Sequence, residues 1–182
     1  DKWQEAYNRM LTIAPVTEPG FPLAHVWIAG ALVEGRVVED NRWALVETHA
    51  EHVLAEDVNN PYAFRFLAYV DLQKGDTDTA IAEMEMITGT FPDLHAKLMD
   101  LTRLQGNFSE ARKHARKAVA TFEDLQRDDN GLLPLTAIGF LRWGRAYELL
   151  GNKDDMTRTF ELGIARYPQD ATLRKALATI LS

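Results

Sequence analysis

Residues 134–168 read PLTAIGFLRWGRAYELLGNKDDMTRTFELGIARYP. Pro134 suits the first turn of a helix, where its missing N–H leaves no bond unmade. Leu135, Ile138, Phe140, Leu141 and Leu149 recur at helical spacing. Gly151 stands where a left-handed residue ends that helix. Asn152, Asp154 and Asp155 follow at once and place capping and negative groups at the start of a second helix. Gly144 lets the two helices approach closely, and Met156 is expected to fill the space the glycine leaves, a pairing of small with large that conserves core volume. The stretch is a helix–turn–helix hairpin.

The whole chain has 182 residues, enough for one domain with a real core. Hydrophobic residues make up 46% and charged residues 26%, an ordinary globular composition. The net charge of -7 argues against nucleic-acid binding through overall charge. No apolar run is long enough to span a bilayer, so membrane insertion is not expected. Cysteine is absent, which excludes thiol catalysis, disulfides and thiolate metal sites. That absence fits cytoplasm or periplasm and chooses neither. The chain begins at Asp1 rather than Met, the pattern of a processed or excised segment.

Trp143-Gly144, Tyr147, Phe160, Gly163 and Pro168 carry a resemblance. Their spacing is similar to that of the tetratricopeptide repeat, a helix–turn–helix unit of about 34 residues with a Trp, a Gly and a Tyr in its first helix, a Phe in its second and a late Pro. Met156 departs from the pattern, standing where the family has a small residue. The resemblance is clearest over 61–123 and 134–168. It implies an all-α fold, a right-handed superhelical solenoid of antiparallel helix hairpins, whose ordinary work is protein binding. The Gly-Asp and Gly-Asn turns at Gly75, Gly106 and Gly151 support it.

Along the chain, 1–15 resembles the second helix of a repeat without its first, with Trp3, Tyr7, Met10 and Leu11 as an apolar stripe. Either more helices precede it, packed on that stripe, or it caps the domain. Residues 23–57 form a divergent hairpin. Its first helix turns Val26, Trp27, Ala31 and Leu32 inward and ends at Gly35, and Asp40 or Asn41 caps the second. Residues 61–91 are a clearer repeat, in which the small Ala68 and Ala80 predict close helices. A shorter repeat follows over 92–125, since Gly75 and Gly106 are only 31 residues apart. A polar insertion, QRDDNGLL at 126–133 with a turn at Asn130-Gly131, separates it from the repeat at 134–167. Residues 170–181 resemble a capping helix, with Leu173, Ala176, Leu177 and Ile180 buried and Arg174 and Lys175 outward. Ten helices and no sheet are expected.

Motifs of catalysis are missing: no G-x-S-x-G, no phosphate loop, no dinucleotide fingerprint. His49 and His52, three apart on one helix, could present two imidazoles to one ion, and a metal-dependent enzyme using them is one alternative reading. Against it stands an ordinary pair of half-exposed helix histidines. His25, His95 and His114 look isolated, and Met84 and Met86 fit core positions. No cofactor and no catalytic residue is assigned.

The resemblance implies that the first helix of each hairpin lines a concave groove. The implied ligand-facing residues are Tyr62, Arg65, Tyr69 and Gln73 in one repeat, Lys97, Asp100 and Arg103 in the next, and Arg142, Arg145 and Glu148 in the last. Five of these ten are basic on an acidic chain. Arginine grips carboxylates through paired hydrogen bonds, and tyrosine packs on peptide side chains. Some family members clamp a terminal carboxylate with Lys and Asn; here Arg65 and Tyr69 stand at the matching positions, without the Asn. The expected role is a non-catalytic scaffold that binds a peptide segment or protein partner, acidic in character. A structural alternative is self-assembly through the terminal helices, by way of Trp3, Tyr7 and Leu11.

Overall fold

The computed structural model describes residues 2–127 and 135–181. Among them lie ten helices and no strand: α1 Lys2–Leu11, α2 Pro22–Val33, α3 Arg42–Glu56, α4 Pro61–Lys74, α5 Thr77–Met86, α6 Leu94–Leu104, α7 Phe108–Arg127, α8 Ala137–Leu150, α9 Lys153–Arg166 and α10 Ala171–Leu181. The all-helical expectation holds. The chain falls into two compact units, Asp1–Thr90 and Phe91–Ser182.

In the first unit each helix packs on the one before it, and α2 also meets α4. The helices reverse at short turns because glycine takes the left-handed conformation there: Gly75 has φ 85 and closes α4 through its N–H to Leu72. Asn60 opens α4, its side-chain oxygen accepting from the N–H groups of Tyr62 and Ala63. Asn41 stands at the start of α3 but makes no capping bond through its side chain. Ile28, Leu32, Val46, Val53 and Phe66 build the core. Ala68 and Ala80 are both fully buried, as close packing of α4 on α5 requires. Met84 is buried with them, but Met86 is exposed. Two residues along a helix is about 200° around it, so the two methionines cannot share a face.

The stripe on α1 finds α2. Tyr7 is buried, Met10 and Leu11 are half-buried, and Trp3 stacks on Trp27 with ring centroids 5.9 Å apart. Trp3 nonetheless stays 38% exposed.

In the second unit, α6, α8 and α10 stack in succession, with α7 and α9 between them in the chain. Gly106 and Gly151, both at φ 78, end α6 and α8. The insertion is partly helical, since α7 continues to Arg127. Pro134 and the Asn130-Gly131 turn lie outside the described residues. The described chain resumes at Leu135, and α8 opens at Ala137, its start capped by Thr136, whose Oγ1 accepts from Gly139 N–H at 3.2 Å. Phe122, Phe140, Trp143, Phe160 and Leu173 form an aromatic-rich core. Ile138 is exposed and takes no part in it.

One packing expectation is corrected. The space at Gly144 is filled by Phe160, not Met156: a Cβ there would lie 2.3 Å from Cε1 and 2.5 Å from Cζ of Phe160. Met156 is buried one turn earlier on the same face of α9. A flat ring needs the α8 backbone bare beneath it, and glycine supplies that.

Candidate functional site

The ten groove residues divide between the units, four in the first and six in the second. In the first unit, Tyr62, Arg65 and Tyr69 lie along one face of α4, and together with Phe66 they wall a cleft of about 530 Å³. The facing wall is Trp27, Gly30 and Val33 of α2, with Trp3 from α1 and Arg36 beyond. Arg36 sits over the Trp3 ring at 4.3 Å and pairs with Glu34. Gln73, at the last turn of α4, is exposed and stands outside this cleft. Val26 and Trp27, expected to turn inward, do pack against the core, but they are half-buried and line the cleft as well. Helix α2 reads PLAHVWIAGALV and is apolar nearly all round, so no stripe distinguishes its core face from its cleft face.

In the second unit the six residues form two groups. Lys97, Asp100 and Arg142 act on one another: burial lowers the Lys97 ammonium pKa, Arg142 lowers it further, and Asp100 opposes them. One carboxylate oxygen of Asp100 is buried without a hydrogen-bond partner among the described residues. Arg103, Arg145 and Glu148 instead line a cleft of about 510 Å³ whose apolar surface is Met99, Phe108 and Leu149. Arg112 joins them from the second helix of its hairpin, where a reading confined to first helices does not look. Arg145 and Glu148 also border an adjoining cleft of about 350 Å³, shared with Leu141, Lys175 and Ile180.

The histidines are arranged differently from the sequence expectation. His49 and His52 both pack on the His25 ring, each with its ring centroid 4.9 Å away, but their nitrogens are engaged separately. His49 is fully buried, with its Nδ1 2.6 Å from Nδ1 of His25, and His52 donates from Nε2 to the Val16 carbonyl at 2.9 Å. His95 and His114 also face each other across α6 and α7, Nδ1 to Nδ1 at 3.1 Å, and both are buried. None of the three histidines expected to be isolated is so. A neutral ring can donate one N–H to its neighbour's lone pair, but two charged rings cannot. Burial, then the neighbouring imidazoles, lowers His49 to about 4; burial, then Lys117 and His114, lowers His95 to about 4. Among the described residues no three metal-capable side chains gather into a metal site.

No protein-family model matches the sequence, and no curated protein does. Solved structures match along nearly the whole chain. A tetratricopeptide-repeat protein from Thermus thermophilus aligns at 17% identity over 96% of this chain and 87% of that one, with a TM-score of 0.58. The C-terminal part of a repeat protein of the same kind from Cytophaga hutchinsonii aligns at 14% identity over 98% of this chain and 65% of that one, with a TM-score of 0.59. The MamA protein aligns at 14% over 92% and 82%, with a TM-score of 0.52. Identities this low speak to fold alone, and on that ground the chain has the tetratricopeptide-repeat fold.

Proposed function

We propose that the protein is a non-catalytic scaffold that binds an acidic peptide segment or protein partner along the first-helix faces of its hairpins. Tyr62, Arg65, Tyr69 and Gln73 contribute contacts in the first unit, and Lys97, Asp100, Arg103, Arg142, Arg145 and Glu148 in the second. The observation that carries this reading is the cleft beside α8: Arg103, Arg112 and Arg145 surround an apolar surface on a chain whose net charge is -7. Among the described residues these three guanidiniums have no ion pair or hydrogen bond within the protein. Unpaired arginine over apolar surface suits a ligand carboxylate next to an apolar side chain.

The test is binding of matched acidic, neutral and basic peptide pools to the parent protein and to an Arg142→Ala, Arg145→Ala double variant. The acidic pool should be retained, released by added salt, and held about tenfold less tightly by the variant. Equal retention of all three pools would defeat the proposal. So would an unchanged affinity in the variant.

A further inference from the structure

The two clefts beside α8 share Arg145 and Glu148, so one lies against α6 and α7 and the other against α10, with the same two side chains on the ridge between them. We infer that they are successive subsites for one extended peptide, in which acidic residues flank an aliphatic one, and that Arg112 and Lys175 are its contacts at either end. This rests on the acidic-ligand reading above and adds two residues, a second cleft and a ligand pattern.

Charge is the first argument. Arg103, Arg112, Arg145 and Lys175 line the pair of clefts, against Glu148 alone among the acidic residues there. Among the described residues none of the four cations is spent on an internal ion pair. The pair of clefts is therefore locally positive on an acidic protein, and it attracts an anion that the rest of the surface repels.

Shape and polarity supply the second argument. Each cleft has an apolar side: Met99, Phe108 and Leu149 in one, Leu141, Ala176 and Ile180 in the other. Phe108 is 54% exposed, an aromatic ring left open beside the arginines. A run of carboxylates alone would leave these apolar surfaces facing water. A leucine-sized side chain between acidic residues would cover one of them while its neighbours met the cations. Volumes of about 510 and 350 Å³ each suit a few side chains, not a folded partner.

The experiment uses the full chain and fluorescein-labelled Glu-Glu-Leu-Glu-Glu, with Glu-Glu-Ser-Glu-Glu and hexaglutamate as comparisons, followed by anisotropy at low and moderate salt. The variants are Arg112→Ala with Lys175→Ala, and separately Arg142→Ala with Arg145→Ala. All four side chains are charged and none is fully buried, so helicity by circular dichroism should stay at the parent value. The leucine peptide should bind about fivefold or more tighter than the serine peptide, and the Arg112, Lys175 variant should weaken it about tenfold. If the acidic peptides bind, lose affinity in the Arg142, Arg145 variant and ignore the loss of Arg112 and Lys175, the two-subsite inference is overturned while the broader reading stands. If leucine and serine peptides bind alike, the apolar subsite is wrong. If no acidic peptide binds the parent, both readings fall together.

Discussion

Gly144 shows how much one side chain's absence can decide. The ring of Phe160 lies where a Cβ would be, at distances no real Cβ tolerates, and Trp143 beside it is buried in the same aromatic core. Gly144→Ala should therefore force the ring off α8. Overpacking of this kind costs typically about 1–3 kcal/mol, read as a lowered urea midpoint with an unchanged slope. Phe160→Leu in the same chain should recover part of the loss, because a smaller side chain vacates the contested space. A double-mutant cycle with no coupling between the two sites would show that they do not meet. The contact was half legible. The glycine announced a close approach, but whether Met156 or Phe160 met it depended on the register of α9 against α8, a matter of one helical turn that pattern alone does not settle.

At the scale of elements, legibility followed how local the cause was. The turns at Gly75, Gly106 and Gly151 were readable because a left-handed residue is a demand of the local backbone, and all three glycines have positive φ. Asn60 at the start of α4 is an equally local device, one that the sequence reading did not single out. Its oxygen accepts from two backbone N–H groups, 3.1 Å from Tyr62 and 3.3 Å from Ala63. Asn60→Ala should cost about 0.5–2 kcal/mol and loosen the first turn of α4, where Tyr62 and Arg65 are carried. Amide exchange at Tyr62 and Ala63 faster than in the parent would report it; unchanged exchange would show the cap to be idle. What was not readable were relations between helices. His25 and His49 come from α2 and α3, His95 and His114 from α6 and α7, and only the packing of each hairpin makes them pairs. Arg112 and Lys175 escaped for a related reason: one lies on the second helix of a hairpin and the other on the terminal helix, and both reach clefts defined by α8.

Across the whole molecule, the histidine pairs give each unit a buried proton acceptor with the same response to acid. His49 and His95 fall to about 4 in the folded state, and His25 is also lowered, by burial and then by His52. An unfolded histidine titrates near 6.5, so between about 6.5 and 4 the unfolded chain binds more protons than the folded one. Stability from these groups is therefore complete above about 6.5 and is lost as the pH falls toward 4. Glu83 acts in the opposite sense. Burial, with Asp71 and Asp76 adding repulsion, raises its carboxyl to about 7, so its contribution is complete below the ordinary carboxylate range and is lost as the pH rises through 7. Maximum stability should thus lie near pH 6.5 to 7, with Tm falling on the order of 10 °C by pH 4.5. Replacing one pair by apolar groups of similar volume, His25→Leu with His49→Leu, should remove the acid sensitivity of the first unit and leave that of the second, so the acid limb shrinks without vanishing. An acid limb of unchanged depth in that variant, followed by thermal unfolding between pH 4.5 and 7.5, would show that carboxylates rather than the imidazole pairs govern the loss. A limb abolished outright would show that the His95–His114 pair is silent despite its burial.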